Sequence, residues 1–250
     1  MLDVHVSSHP YLADHSIEGT PVVPVVMALE WFTATVARWT GPLNSLTLHG
    51  VDVLRKITLP GFHSAGDQFM VRCRIEESQI DLRLLGLGGV PHYRAAVQPS
   101  TSYSPDWTLP GDLRPQPIDY AGSVLFHGPA FQALHRIDGI TRDGAAGAVV
   151  GASKLGWPGR DNWHCDPAAL DGGLQLAGLW IAEQIGCRSL PMSVGEFRLH
   201  RTGLLTEPIR CVVRHRTTDD TFTFCDIGFL DDSGPRWELI NTRFILDPNR

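Results

Sequence analysis

The chain has 250 residues, 43% hydrophobic and 19% charged, with a net charge of −6. That composition excludes a disordered chain and suits one large domain or two of about 120 residues each. An acidic balance without any basic run excludes nucleic acid as the expected partner, and no apolar run reaches the roughly 20 residues that would cross a bilayer, so no membrane insertion is expected.

The opening residues, MLDVHVSSHP, lack the basic and apolar regions of a secretory signal. The five cysteines (Cys73, Cys165, Cys187, Cys211, Cys225) are scattered, without C-x-x-C. They read as reduced thiols of a cytoplasmic protein. His164 and Cys165 are adjacent, but a zinc site needs clustered ligands. They read as incidental neighbours, and no metal site is expected.

The first clear element follows Pro24, which suits a helix start because its missing N–H costs nothing there. Ala28, Leu29, Phe32, Val36 and Trp39 recur near helical spacing, and Gly41 is a stop signal. Strand-like segments follow at 43–60, 69–77, 80–89 and 92–99. The stretch from Pro105 to Pro117 holds four prolines and has the composition of an extended linker.

The second half repeats this order. Asp166 is an N-cap, Pro167 the first helical residue and Gly186 the stop. Leu170, Leu174, Ala177, Leu179 and Ile181 cover much of the helix circumference. Strand-like segments at 190–208, 209–217, 222–234 and 237–246 correspond one by one to those of the first half. A helix followed by an antiparallel meander, twice, predicts two curved sheets, each wrapped around a buried helix. The boundaries are residues 1–104, a linker at 105–117, and 118–250. Gly172 and Gly173 each cost the second helix roughly 1 kcal/mol against alanine, a cost tolerated where a sheet or substrate must approach the backbone.

Two residues stand out chemically. His15 lies just before the first buried helix, facing the apolar run from Pro21 to Val26. A low dielectric there favours neutral imidazole, the form a base needs. Asp171 lies one turn into an otherwise apolar helix, so an isolated, protonated carboxyl, a general acid, is expected. Gln175, at i+4, can orient it by a hydrogen bond. A base and an acid so arranged suit removal of water from a β-hydroxy thioester, with a backbone N–H near Gly19 or Gly128 holding the thioester carbonyl. No metal or organic cofactor is required.

These residues fall into ordered motifs. His15, Gly19 and Pro24 form H-x-x-x-G-x-x-x-x-P, preceded by HPYLADH. Asp171 and Gln175 form D-x-x-x-Q, followed by LPMSVGEFRLH. Over nearly its whole length the chain resembles the dehydratase domains of polyketide synthases and polyunsaturated fatty acid synthases. The family's G-Y-x-Y-G-P-x-F is matched by Gly128, Pro129 and Phe131, while Leu125 and His127 stand where tyrosines would be.

The resemblance implies an α+β double hot-dog fold, with His15 and Asp171 catalytic. Gly19, Pro24, Gln175, His127, Gly128 and Phe131 would lie around the substrate, and Tyr120, Phe126 and Phe131 would serve as walls of the acyl tunnel. It also implies a substrate carried on the phosphopantetheine arm of an acyl carrier protein, neighbouring domains of one synthase, and pairing as a homodimer. Two other readings share the scaffold: a product-template-like domain that directs ring closure, and a silent domain that only binds acyl chains or holds a dimer.

Overall fold

The computed structural model describes residues 1–76, 79–109, 111–122, 124–158 and 163–247. Glu77 of a predicted strand, Pro110 of the predicted linker, and Ser123 and residues 248–250 of the predicted second unit lie outside them.

The first half runs β1 (Leu2–Val4), β2 (Ser16–Ile17), β3 (Thr20–Pro21), α1 (Val25–Thr40), β4 (Leu46–Val53), β5 (Asp67–Glu76), β6 (Gln79–Leu85) and β7 (Pro91–Val97). The second runs β8 (Leu134–Thr141), β9 (Gly144–Val149), α2 (Pro167–Ile185), β10 (Arg188–Leu199), β11 (Ile209–Thr218), β12 (Phe222–Asp231) and β13 (Gly234–Asp247). Apart from the β2–β3 hairpin, the strands form one sheet in the order β1-β5-β6-β7-β4-β10-β13-β12-β11-β9-β8.

The order is the same motif twice. In each half the strand after the helix lies beside the last strand of the meander: β4 beside β7, and β10 beside β13. The halves join where β4 pairs antiparallel with β10, from Ser193 opposite Asp52 to Leu199 opposite Leu46. The helices also meet, α1 against α2, so the apolar faces of both halves close over one core.

Helix ends follow from local chemistry. Gly41 ends α1 at φ 87°, its N–H bonded to Ala37 O at 2.9 Å. The Asp166 side chain caps α2 by accepting from Ala169 N, and Gly186 ends it in the left-handed region. The first turns of α1 are buried all round, from Val25 to Thr33, but Trp39 is 66% exposed. Helical spacing places it on the buried face; the last turn of the helix, from Arg38 to Thr40, is exposed.

Gly172 and Gly173 meet the sheet and not a substrate. A Cβ on Gly173 would collide with the Phe229 ring of β12, and one on Gly172 would stand 2.9 Å from Val149 Cγ1 of β9. Among its described residues the proline-rich stretch carries no named strand, and together with the residues just before it, it packs onto β12 and β13. There Trp107 Nε1 donates to Glu238 at 2.7 Å and Tyr103 OH to Asp226 at 2.7 Å. Residues 134–149, for which sequence patterning predicts no strand, form β8 and β9. β9 reads GAAGAV and is buried throughout, so neither alternation nor β-branched residues mark it.

His164 and Cys165 are not incidental neighbours. The backbone N–H groups of both, and the Cys165 thiol at 3.2 Å, donate to the buried Glu30 carboxylate of α1. This ties α1 to the loop that starts α2.

Candidate active site

His15 ends a 3-10 turn at Pro10–Asp14 and begins the β2–β3 hairpin. Glu18 and Gly19, at φ 52° and 77°, turn the chain back, and Val22 returns beside His15. The return is fastened twice: Val22 N donates to His15 O at 2.9 Å, and His15 Nδ1 meets Val22 O at 2.8 Å. A carbonyl only accepts, so Nδ1 carries the hydrogen and Nε2 of the neutral ring keeps its lone pair. Pro24 then caps α1. The spacing of the first motif is thus the length of a hairpin that orients an imidazole.

Asp171 lies in the second turn of α2, 3% exposed. Gln175 Nε2 donates to its Oδ2 at 2.7 Å and to Phe131 O at 2.7 Å. Gln175 is oriented from behind by Tyr120, whose hydroxyl donates to Oε1 at 2.7 Å and accepts from Leu134 N at 2.9 Å. The resemblance makes Tyr120 a tunnel wall; its part in fixing Gln175 has no local signal in the sequence.

His127 Nε2 lies 3.2 Å from the same Oδ2. One nitrogen of His15, one of His127 and a carboxylate oxygen of Asp171 all lie within 4.8 Å of one another. The imidazole from the first half and the carboxyl from the second therefore meet in one site. Among the described residues these three are the group that could hold a metal ion.

Asp14, which sequence reasoning passed over inside HPYLADH, joins the halves at this point. Its carbonyl accepts from Gly128 N at 2.8 Å and its Oδ2 from Ala130 N at 2.7 Å. A Cβ on Gly128 would stand 2.7 Å from Asp14 Cγ, so glycine allows that approach. Phe131 is fully buried with its ring 5.1 Å from that of His15.

A cavity of about 160 Å³ opens against this cluster, with His15, His127, Asp171 and Gln175 in its wall. The rest is mainly apolar, including Val22, Pro24, Leu125 and Phe126, with Lys56 as a cation. Asp171, Leu174, Gln175 and Gly178 of α2 line it, at the i, i+3, i+4, i+7 spacing of a single helix face.

Two expectations fail here. Gly19 is exposed at the hairpin tip, with open space where a Cβ would stand, and the Gly128 N–H is already bonded to Asp14. Neither is placed to hold a thioester carbonyl. Asp171 is not an isolated acid either. Burial pushes its carboxyl up, but the charge and hydrogen bond of His127, the charge of His15 and the bond from Gln175 outweigh it, leaving the carboxyl below its ordinary value. For His15, burial dominates and lowers the pKa to about 4, against the opposing pull of Asp171.

Residues 2–81 match the family described as polyketide synthase dehydratase domain, and residues 108–239 match polyketide synthase dehydratase N-terminal domain. The chain is 24% identical over 235 residues to a polyunsaturated fatty acid synthase polypeptide of Thraustochytrium sp., covering 84% of this chain and 8% of that protein. It is 29% identical over 237 residues to polyketide synthase GfsE of Streptomyces halstedii, covering 87% of this chain and 6% of that one. It thus spans less than a tenth of either relative. Among solved structures, the dehydratase domain from the CurF module of curacin polyketide synthase superposes with a TM-score of 0.79 at 18% identity, covering 98% of this chain and 91% of that domain. The dehydratase domain of a mycocerosic acid synthase-like polyketide synthase gives 0.77 at 19%, covering 97% and 88%. These likenesses establish the double hot-dog fold.

Proposed function

The chain belongs to the polyketide synthase dehydratase family, and from that premise we propose that it removes water from a 3-hydroxyacyl thioester to give the 2-enoyl thioester. The observation that carries this is the meeting of His15 and Asp171, one from each half, within 4.8 Å at a mainly apolar cavity.

His15 Nε2 takes the proton at Cα. Electrons move to form the Cα–Cβ double bond, the Cβ–O bond breaks, and the hydroxyl leaves as water with a proton delivered through Asp171. Both hydrogen bonds on Asp171 fall on Oδ2, which leaves Oδ1 for the leaving hydroxyl. Negative charge developing on the thioester oxygen needs donors. Val25 lines the cavity at the start of α1, and first-turn amides of a helix lack partners within the helix.

The thioester arrives on the phosphopantetheine arm of an acyl carrier protein. Lys56, exposed and in the same cavity wall, suits the phosphate of that arm. The domain works beside the other domains of a synthase and pairs with a second copy. It uses no metal or organic cofactor.

The test is mass spectrometry of the purified domain with 3-hydroxyacyl thioesters of several lengths. Enoyl product is expected, with EDTA leaving turnover unchanged. His15→Ala and Asp171→Asn should each lower turnover by about 10²–10⁴-fold while the domain stays folded. Near-normal turnover in either variant would remove that residue from the mechanism. Carrier crosslinking without turnover would favour the silent, acyl-binding reading.

A further inference from the structure

Arginine recurs on the exposed face of the first-half meander. Strands β6 and β7 alternate, with Leu82, Leu84, Tyr93 and Ala95 in the core and Arg83 and Arg94 on the exposed side. Arg72 of β5 is exposed as well. The register puts the three on one rung of the sheet. Arg72 lies opposite Arg83, Arg83 opposite Arg94, and Arg94 opposite Asp52 of β4.

The end of this row at β4 is neutralised: Arg94 donates to Asp52 Oδ2 from Nε at 2.8 Å and from NH2 at 2.7 Å. The rest is not. Among the described residues, the Arg72 and Arg83 side chains make no hydrogen bond or ion pair. The carboxylate beside them, Asp81, accepts from Gln79 Nε2 at 2.9 Å and borders a surface hollow with Arg72, Arg74 and Arg83. Like charges directly opposite on neighbouring strands weaken a sheet, so the row does nothing for the fold. It is also a cationic strip on a chain whose net charge is −6.

The strip is continuous with the cavity. The next rung pairs Val53 of β4 with Tyr93 of β7, and both line the cavity wall. Arg55 and Lys56, both exposed, follow directly after β4, and Lys56 lies in that wall. Positive charge therefore runs from Arg72 across three strands to the cavity that holds His15 and Asp171.

We propose that the exposed face of β5, β6 and β7 is the docking surface for the acyl carrier protein, and that it receives an acidic helix of that carrier along the row from Arg72 to Arg94. The inference rests on the dehydratase reading and deepens it by placing its partner. The geometry suits a helix. Neighbouring strands lie about 4.8 Å apart, so the three arginines repeat at that interval. Carboxylates at i, i+3 or i+4, and i+7 on one face of a helix repeat at about 5–6 Å. Arginine is suited to such partners because its planar fork takes a carboxylate through two bonds. A carrier seated there has Lys56 between itself and the cavity, on the path its pantetheine arm must follow. A nucleic acid is the wrong polyanion for a chain that is acidic as a whole.

The experiment compares the double variant Arg72→Ser/Arg83→Ser and the single variant Arg83→Glu with wild type. Each is given the same 3-hydroxyacyl group in two forms, on the carrier domain of its own synthase and on free pantetheine. Exposed interfacial charges act on encounter rate and salt dependence. With the carrier form at low salt, kcat/KM should fall by at least about 10-fold in the variants, with kcat at saturation little changed. With free pantetheine, both variants should match wild type. Added salt should lower wild-type kcat/KM toward that of the variants, because it screens exposed charges. An unchanged kcat/KM with the carrier would overturn the proposal. So would an equal loss on both substrates, which describes a structural role.

A second measurement does not depend on turnover. Binding of the carrier domain, followed by titration calorimetry, should weaken by at least about 10-fold in Arg72→Ser/Arg83→Ser. Binding equal to wild type would overturn the proposal. Sedimentation of the domain alone distinguishes a second copy as occupant: a dimer in wild type that the double variant abolishes would assign the row to self-association and overturn the proposal. Carrier binding that needs the arginines, with no enoyl product from wild type, would count against the dehydratase reading and leave the docking surface standing.

Discussion

The bond from His15 Nδ1 to the Val22 carbonyl leaves Nε2 as the lone pair of the ring, and burial lowers the pKa to about 4. The ring is therefore already in its basic form at neutral pH and remains so well into the acid range. The acid limb of kcat/KM should lie near pH 4, where an exposed histidine would place it near 6.5; an acid limb at 6.5 would mean that the site is wet. Stability carries the same sign. Below about pH 6.5 the unfolded chain binds a proton at this histidine that the folded chain refuses until about pH 4. His15 therefore has no such effect above 6.5 and erodes stability as pH falls through that window, by up to about 3 kcal/mol. His15→Gln should flatten the fall in urea midpoint between pH 6.5 and 4. Asp171 shows the limit of reasoning residue by residue. Its burial was legible from its helix neighbours, but the approach of His127, which lowers its carboxyl, was not. His127 lies 44 positions away in sequence, and nothing local marks their contact.

At the scale of elements, α2 carries both chemistry and packing. Its Asp171, Leu174, Gln175 and Gly178 face the cavity, whereas Gly172 and Gly173 face the sheet. The same substitution should therefore have opposite effects at Gly173 and Gly178. Gly173→Ala gains helix propensity of about 1 kcal/mol but drives a methyl into the Phe229 ring, and overpacking costs about 1–3 kcal/mol; net destabilisation is expected. Gly178→Ala has nothing within 4 Å of the new methyl and should stabilise by up to about 1 kcal/mol. Denaturant unfolding checks both, and a stabilised Gly173→Ala would show that β12 yields easily. Helix starts and stops were readable because capping is local: Asp166, Pro167, Gly41 and Gly186 act on neighbours in sequence. β8 and β9 were not: β9, GAAGAV, is a small-residue strand that gets its identity from β8 and β11 on either side, and β8, at the end of the sheet, pairs with β9.

For the molecule as a whole, the decisive feature is the seam. β4 pairs with β10 along six residue positions, α1 meets α2, and Glu30 of α1 is bound by His164 and Cys165 ahead of α2. Separating the halves would expose two strand edges and two apolar helix faces at once. The domain should therefore unfold in urea as one transition, with tryptophan fluorescence and far-ultraviolet circular dichroism coinciding. A fragment of residues 1–104 alone should fail to reach a cooperative folded state. Two separated transitions would mean that the halves are energetically independent, with the active site as their weak joint.

The sequence by itself determined the elements with local causes: two capped helices, eight strands in two matching sets, and the motifs that hold His15, Asp171 and Gln175. It also carried the family resemblance. Only the tertiary structure decided which residues share the cavity and in what electrical state. Gly19 belongs to a hairpin, Gly128 to a contact with Asp14, and Tyr120 to the support of Gln175. The Asp171 carboxyl is held below its ordinary value, against its burial, because His127, His15 and Gln175 are brought to it by folding. The physical reason is that caps, turns and periodicity act over a few residues, whereas burial and charge depend on what folding brings within a few ångströms, at any separation along the chain.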